Sequence, residues 1–100
     1  MTTVALVSDL MDRSRISTAV PDVAFASEAD ACAGAELVIV DVGGHADAVA
    51  GVRRLAPAAR IVAFGRHDNP EALARARSDG ADVAVARSRF FRDPAAVVGL

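Results

Sequence analysis

Five short apolar runs, each followed by a segment of helical character, most constrain how this sequence can fold. The runs are TVALV (3–7), DVAFA (22–26), ELVIVDV (36–42), RIVAFG (60–65) and DVAVA (82–86). The helical segments span 10–20, 27–35, 45–57, 68–80 and 92–100. Strands that alternate with helices at this spacing are typical of right-handed βαβ units and a parallel sheet.

The length of the chain limits this pattern to one domain. One hundred residues, 53% of them apolar, can bury one hydrophobic core and are too few for two. We therefore predict a single α/β domain over 1–100. Its expected architecture is a flavodoxin-like (βα)5 three-layer sandwich, with a five-stranded parallel sheet of order 2-1-3-4-5.

Several helix ends carry residues that favour caps. Ser27 is placed to cap the second helix. The fourth helix has the clearest signals, because Asp68 or Asn69 can cap its first turn and Pro70 suits that turn. Gly80 suits its exit. These signals predict a helix over 68–80.

The types of basic and sulfur-containing residue exclude some chemistry. All eleven basic residues are Arg, which excludes a P-loop and any Schiff-base lysine. Cys32 is the only cysteine, so no internal disulfide forms, and we expect it to fill space in the core. A net charge of −2 gives no reason to expect nucleic-acid binding, and no apolar run approaches the roughly 20 residues of a membrane span. We expect a cytoplasmic protein that binds neither nucleic acid nor membranes.

In such sheets ligands bind outside the carboxyl ends of the strands. The residues at these ends of the predicted strands are Ser8, Asp9, Asp41, Gly65, Arg87 and Ser88. Asp9 and Asp41 follow adjacent strands and are expected to face one another. Two carboxylates repel unless a cation or an arginine lies between them, and Mg²⁺ prefers such oxygen ligands. The sequence thus allows a magnesium site at Asp9 and Asp41.

The order and spacing of these motifs resemble the receiver domain of response regulators over nearly the whole chain. LVIVDV resembles the third strand of that family, which ends in the phospho-accepting aspartate, here Asp41. LVSDLMDRSRI resembles its first strand and acid pair, here Ser8 and Asp9. The stretch from 60 to 90 is similar to the family's region from strand 4 through strand 5, where Arg87 takes the position of the family lysine. The resemblance implies a phosphotransfer site built from these positions.

This sequence departs from the receiver pattern at four places. Ser8 replaces the first acid, Gly65 replaces the Thr or Ser that follows strand 4, and Arg87 replaces the lysine. Ser88 stands where proline is usual. The segment between Asp9 and Asp41 is also short, so the first two helices are expected to be short. Together the departures indicate a degenerate receiver.

The role of Asp41 has alternatives. It can be a rim aspartate that pairs with Arg87 or accepts hydrogen bonds from the amides of Gly43 and Gly44, or it can be a phospho-acceptor. We interpret Gly43-Gly44 as a turn, because it lacks the spacing of a phosphate-binding loop. His45 is interpreted as a solvated or capping side chain.

The segment ARSRFFRD contains the adjacent residues Phe90 and Phe91. We expect one ring to pack inward and the other, flanked by Arg89 and Arg92, to serve as an exposed anchor for a partner. The alternative is that both rings cover the sheet edge. In receivers the face of helix 4, strand 5 and helix 5 mediates dimerisation. The resemblance therefore implies a protein partner or homodimer through this face, with Phe90, Phe91 and Arg89 as contact residues.

We predict a degenerate, receiver-like (pseudo-receiver) signalling or protein-interaction domain that is not an enzyme. It requires no cofactor, although Mg²⁺ binding is compatible with its acids. The first alternative is a competent receiver, with Asp41 as phospho-acceptor, Asp9 as metal ligand and Arg87 in the lysine role. The second is a small flavodoxin-like enzyme or ligand binder that uses Asp9, Asp41 and His67.

Overall fold

A five-stranded parallel sheet forms the centre of the computed structural model, which describes residues 2–100. The strands are β1 (Thr3–Leu6), β2 (Ala24–Phe25), β3 (Leu37–Asp41), β4 (Arg60–Gly65) and β5 (Val83–Ala86). Their order is β2-β1-β3-β4-β5, and every neighbouring pair is parallel. The predicted fold class and strand order are confirmed.

Five α-helices and one 3₁₀ helix connect or follow the strands. The α-helices are α1 (Leu10–Ala19), α2 (Ala48–Leu55), α3 (Pro70–Asp79), α4 (Arg87–Arg92) and α5 (Pro94–Val98). The 3₁₀ helix spans Ala29–Cys32 and takes the place of the predicted second helix. Within the described residues, no helix combines the length and the apolar character needed to cross a membrane.

The core has two layers, one on each face of the sheet. On one face, Val49 and Val52 of α2 and Leu73 of α3 pack against alternate residues of the strands. On the other face, Ile16 of α1 and Val98 of α5 pack against the remaining strand residues. Alternate side chains of a strand point to opposite faces, so covering both faces gives each central strand a continuous apolar run. This is the predicted three-layer sandwich, and Cys32 lies buried in the first layer.

The capping signals of the fourth predicted helix are confirmed. The side chain of Asn69 accepts a hydrogen bond from the backbone N–H of Ala72 at 3.2 Å, and Pro70 stands in the first turn of α3. Gly80 ends the helix with a φ of +121°, a conformation that side chains disfavour.

Two predicted helix boundaries are wrong. Ser27 does not cap a helix, because the 3₁₀ helix begins after Glu28 and that residue makes no side-chain cap. The predicted last helix over 92–100 is the shorter α5, and α4 precedes it over a segment for which no helix is predicted. Proline disfavours the helical conformation in the residue before it, and Asp93 is accordingly non-helical and caps α5 through a hydrogen bond from Ala96 N at 3.2 Å.

Candidate functional site

A cleft of about 560 Å³ opens at the carboxyl edge of the sheet, where β3, β4 and β5 end. Its lining residues are Asp41, Gly43, Arg66, His67, Arg87 and Ser88. Five of them, namely Asp41, Gly43, His67, Arg87 and Ser88, are named in the sequence analysis. Arg66 is not, because it lies in an exposed polar loop like many other arginines.

Arg87 forms a bidentate ion pair with Asp12 across this edge. Its Nη1 donates to Asp12 Oδ2 at 2.9 Å and its Nη2 donates to Asp12 Oδ1 at 2.8 Å. The Asp12 side chain is only 4% exposed, whereas that of Arg87 is 36% exposed. The sequence suggested Asp41 as a partner for Arg87, and that pairing is wrong. Asp12 lies in the first turn of α1, and its carboxylate meets the guanidinium of Arg87 at the start of α4.

The environment of Arg87 is acidic. The hydrogen bonds that the guanidinium donates to Asp12 raise its pKa, and the charges of Asp12, Asp41 and Asp9 raise it further. Partial burial opposes this shift. Three carboxylates therefore act on one fixed positive charge.

The guanidinium of Arg87 lies over two aromatic rings. Its guanidinium carbon lies 5.4 Å from the ring centroid of Phe64 and 5.2 Å from that of Phe91, within cation–π range. The rings of Phe64 and Phe90 stack at 4.6 Å, and Phe91 meets both of them edge-on. The prediction of Phe90 as a partner contact is wrong, because its side chain has no exposed surface and belongs to the core. Phe91 is half-buried in the same cluster.

Asp41 ends β3 and is held by the turn that follows it. Its Oδ1 accepts a hydrogen bond from the backbone N–H of Gly43 at 2.9 Å. Its main-chain carbonyl accepts from the N–H groups of Gly44 at 3.2 Å and His45 at 2.9 Å. Gly43-Gly44 is thus a turn, as expected, and of the two glycines only Gly43 contacts the Asp41 side chain through its amide.

Ser8 and Asp9 have structural partners at the same edge. Asp9 is the N-cap of α1, where its Oδ1 accepts from Asp12 N at 2.9 Å. Ser8 Oγ lies 3.0 Å from His45 Nε2, a hydrogen bond that joins the loop after β1 to the loop after β3. His45 was expected to be solvated or to cap a helix, and instead its half-buried ring makes this cross-link.

Four of the six carboxylate oxygens of Asp9, Asp12 and Asp41 already accept hydrogen bonds within the protein. Both oxygens of Asp12 accept from Arg87, and one oxygen each of Asp9 and Asp41 accepts from a backbone amide. Among residues 2–100, no group of three or more His, Cys, Asp or Glu side chains is arranged to hold a metal ion. A cation would also meet the positive charge of Arg87. The magnesium site at Asp9 and Asp41 stays a prediction.

Gly65 ends β4 with no room for a side chain. A Cβ atom there would lie 2.8 Å from Cγ2 of Val42 and 3.3 Å from Cδ2 of Leu73, both in the buried core. Carbon atoms in contact prefer separations of roughly 3.5–4.0 Å. The receiver pattern has a hydroxyl residue at this position, and here Val42 occupies its space. The sequence shows the missing hydroxyl, but it does not show that the space is filled.

The loop after β4 carries the remaining cleft residues. Arg66 forms a bidentate pair with Asp68, at 2.9 Å from Nε and 2.8 Å from Nη2, and both side chains are well exposed. His67 lies between them. Within the part of the chain that the structure describes, the ring of His67 makes no hydrogen bond to a carboxylate, so no acid–base pair is formed there.

No protein-family model matches this chain, and no protein with a curated description matches it. Solved structures do match. A response regulator from Burkholderia pseudomallei aligns at a TM-score of 0.75 and 19% identity, over 98% of this chain and 66% of its own. A response regulator receiver domain from Clostridium thermocellum aligns at a TM-score of 0.73 and 13% identity, over 98% of this chain and 91% of its own.

A response regulator from Thermotoga maritima gives the same result, with a TM-score of 0.70 and 17% identity over 87% of this chain and 85% of its own. The chain spans just under two thirds of the Burkholderia protein and most of the other two. All of these structures are response regulators or their receiver domains. The strand order, the two-layer core and these alignments agree: this chain has the fold of the response-regulator receiver domain.

Proposed function

We propose that this chain is a receiver-like signalling domain that acts by binding another protein, without Mg²⁺-dependent phosphorylation of Asp41. The observation that carries the proposal is the bidentate pair between Arg87 and the buried Asp12. Phosphorylating a carboxylate needs a cation that neutralises the phosphoryl oxygens and donors that stabilise the acyl phosphate. In this chain the guanidinium of Arg87 is already paired with a carboxylate of the protein, that of Asp12.

The packing at Gly65 supports the same proposal. A hydroxyl at the end of β4 is the receiver group that can follow a phosphoryl group on the aspartate. In this chain Val42 and Leu73 fill that space. The end of β4 therefore offers no hydroxyl that could report a modification of Asp41 to the rest of the domain.

The proposed partner surface is the face of α3, β5 and α4, which corresponds to the face through which receivers dimerise. Arg89 and Arg92 are exposed on α4, and within residues 2–100 neither forms a salt bridge. In sequence they flank Phe91, whose half-buried ring lies under the guanidinium groups of Arg15 and Arg87, at 5.5 and 5.2 Å. Exposed arginines without a carboxylate partner suit an acidic protein surface, either on a different protein or on a second copy of this chain.

A mass measurement tests the absence of phosphorylation. The chain is incubated with a small phospho-donor and excess Mg²⁺, next to an Asp41→Asn variant and a phosphorylation-competent receiver as positive control. We expect no phosphoryl adduct on the chain while the positive control is modified. An adduct that disappears in the Asp41→Asn variant would overturn the proposal.

A concentration series tests the partner surface. The mass of the chain in solution is measured by light scattering from micromolar to millimolar concentration, with Arg89→Glu as the surface variant and Arg54→Glu as the charge-matched control on α2. If a second copy is the partner, the wild type and the control show a rising mass that Arg89→Glu abolishes. A constant mass in all three would restrict the partner to a different protein.

A competent receiver is the second candidate, and one observation favours it. Asp41 lines an open cleft of about 560 Å³ and accepts a single hydrogen bond through Oδ1, from the Gly43 amide, so a phospho-donor could reach its carboxylate. One of the structures with this fold, the Burkholderia response regulator, contains a phosphorylated aspartic acid and a calcium ion. The adduct experiment above decides between the two candidates.

A further inference from the structure

Arg87 is paired with one carboxylate, and two more lie at the same edge of the sheet. Both oxygens of Asp12 accept from its guanidinium, at 2.8 and 2.9 Å. Asp41 lines the same cleft as Arg87, and Asp9 caps α1 by accepting a hydrogen bond from the backbone N–H of Asp12 at 2.9 Å. Carboxylates brought together in this way repel one another unless a positive charge lies among them.

We propose that Arg87 is the resident cation of this site, and that its guanidinium both neutralises the carboxylates and keeps a divalent cation out. The sheet edge would then keep one arrangement whether or not Mg²⁺ is present. This inference rests on the proposed function and extends it, because it names the residue that makes the domain independent of metal.

The shape of the side chain explains why arginine can fill this role. A planar guanidinium presents two parallel N–H donors that match both oxygens of one carboxylate, whereas a lysine ammonium is a compact point charge. The rings of Phe64 and Phe91, at 5.4 and 5.2 Å, fix the guanidinium from its apolar side. Lysine at this position would leave at least one Asp12 oxygen available to a cation.

Removing the guanidinium should therefore leave the Asp12 carboxylate open to a cation. Asp12 is almost fully buried, so its carboxylate would lie without a counter-charge in the first turn of α1. Carboxylate oxygens are ligands for Mg²⁺ and Ca²⁺. An Arg87→Met variant keeps the apolar stem over the rings and lacks the charge.

Thermal unfolding of the full chain tests this inference. The wild type, Arg87→Met and Arg87→Lys are compared in MgCl2 and in NaCl of equal ionic strength. Arg89→Met is the matched control, because it removes a neighbouring arginine that forms no salt bridge within the described chain. We expect Mg²⁺ to change the melting temperature of the wild type and the control by less than about 1 °C, and to raise that of both Arg87 variants by about 5 °C.

Equal responses to Mg²⁺ in the wild type and the Arg87 variants would overturn the inference. A wild type that is itself stabilised by Mg²⁺ would do the same. If Arg87→Met fails to fold in NaCl, recovery of its helical circular dichroism in MgCl2 supports the inference. If it fails to fold in both salts, Arg87→Lys decides: it retains a charge for Asp12, and a response no larger than that of the wild type overturns the inference.

This result is independent of the phosphorylation experiment. A phosphoryl adduct on the wild type would end the proposed function, whatever the melting temperatures show. An absent adduct together with a Mg²⁺ response in the wild type would retain the proposed function and remove Arg87 from its role as resident cation.

Discussion

Two arginine–aspartate pairs stabilise opposite edges of the sheet, and they distribute charge in different ways. At the amino edge, Arg53 of α2 donates to Asp82 at 2.9 Å and also to the main-chain carbonyls of Gly80, Ala59 and Pro57. Asp82 is 45% exposed, whereas Asp12 at the carboxyl edge is 4% exposed and has the whole guanidinium of Arg87. One pair is spread over several acceptors, and the other is concentrated on one buried carboxylate.

The comparison predicts which arginine costs the fold less stability when it is removed. Breaking a buried pair leaves an uncompensated charge, while breaking an exposed pair leaves groups that water can reach. The edge that carries the cleft therefore depends more strongly on a single contact.

The largest expected effect comes from Arg87→Met set against Arg53→Met. We expect Arg87→Met to lower the free energy of unfolding by about 3 kcal/mol, because Asp12 stays buried without its partner and the partly exposed guanidinium places the cost at the low end for such pairs. For Arg53→Met we expect a loss of about 1–2 kcal/mol, because Asp82 is 45% exposed and the carbonyls that lose a donor carry no charge. Urea unfolding at pH 7 measures both. Equal losses would refute the distinction between the two edges.

The second largest expected effect is that Gly65→Ala lowers the free energy of unfolding by about 2 kcal/mol. The substitution places a Cβ atom 2.8 Å from Val42 in the core, and overpacking of this kind destabilises. The control is Gly44→Ala, since nothing lies within 4 Å of the Cβ position at Gly44. Both variants are compared by urea unfolding. If Gly65→Ala were as stable as the control, the space after β4 would not be filled as described.

The smallest effect concerns pH and the amino edge. The pKa of Asp82 is lowered, chiefly by the hydrogen bond from the backbone N–H of Ile61 at 2.8 Å, then by Arg53, and burial opposes the shift. A carboxyl whose pKa is lower in the folded state contributes stability that is present above its unfolded pKa of about 3.9 and lost as pH falls through the folded pKa.

Asp82→Asn should therefore be less stable than the wild type at pH 7, by about 1 kcal/mol. The difference should shrink below about pH 4, where the wild-type carboxylate becomes protonated. Urea midpoints between pH 7 and pH 2 measure this, with Glu71→Gln as an exposed control. A difference that stays constant down to pH 2 would mean that the charge of Asp82 contributes nothing.

Local signals predicted most of the fold. The five apolar runs form the five strands. Asn69, Pro70 and Gly80 mark the ends of α3, the fourth predicted helix, where expected, because caps and strands depend on residues close in sequence. The cap predicted at Ser27 is wrong although its signal is also local. The segment before β3 forms only the 3₁₀ helix Ala29–Cys32, which begins after Glu28.

The site was predicted less well, because its contacts join distant residues. The resemblance placed Asp41 and Arg87 at one edge, yet the partner of Arg87 is 75 positions away and reads in the sequence as an ordinary polar residue of a helix. Phe90 and Phe91 are adjacent in sequence, and only the packing of α4 against Phe64 shows that both rings belong to one cluster. Side-chain pairing of this kind follows from tertiary packing, which residue patterns do not record.

Val42 and Gly65 also determine the order in which a hydroxyl could be introduced at the end of β4. Gly65→Ser on its own would place Cβ against Cγ2 of Val42, at a position where the two are 2.8 Å apart. Val42→Ala on its own would leave a small cavity that the core can tolerate more easily. The mutational route to a hydroxyl at this edge therefore has a preferred first step, at a residue that would not itself carry the hydroxyl.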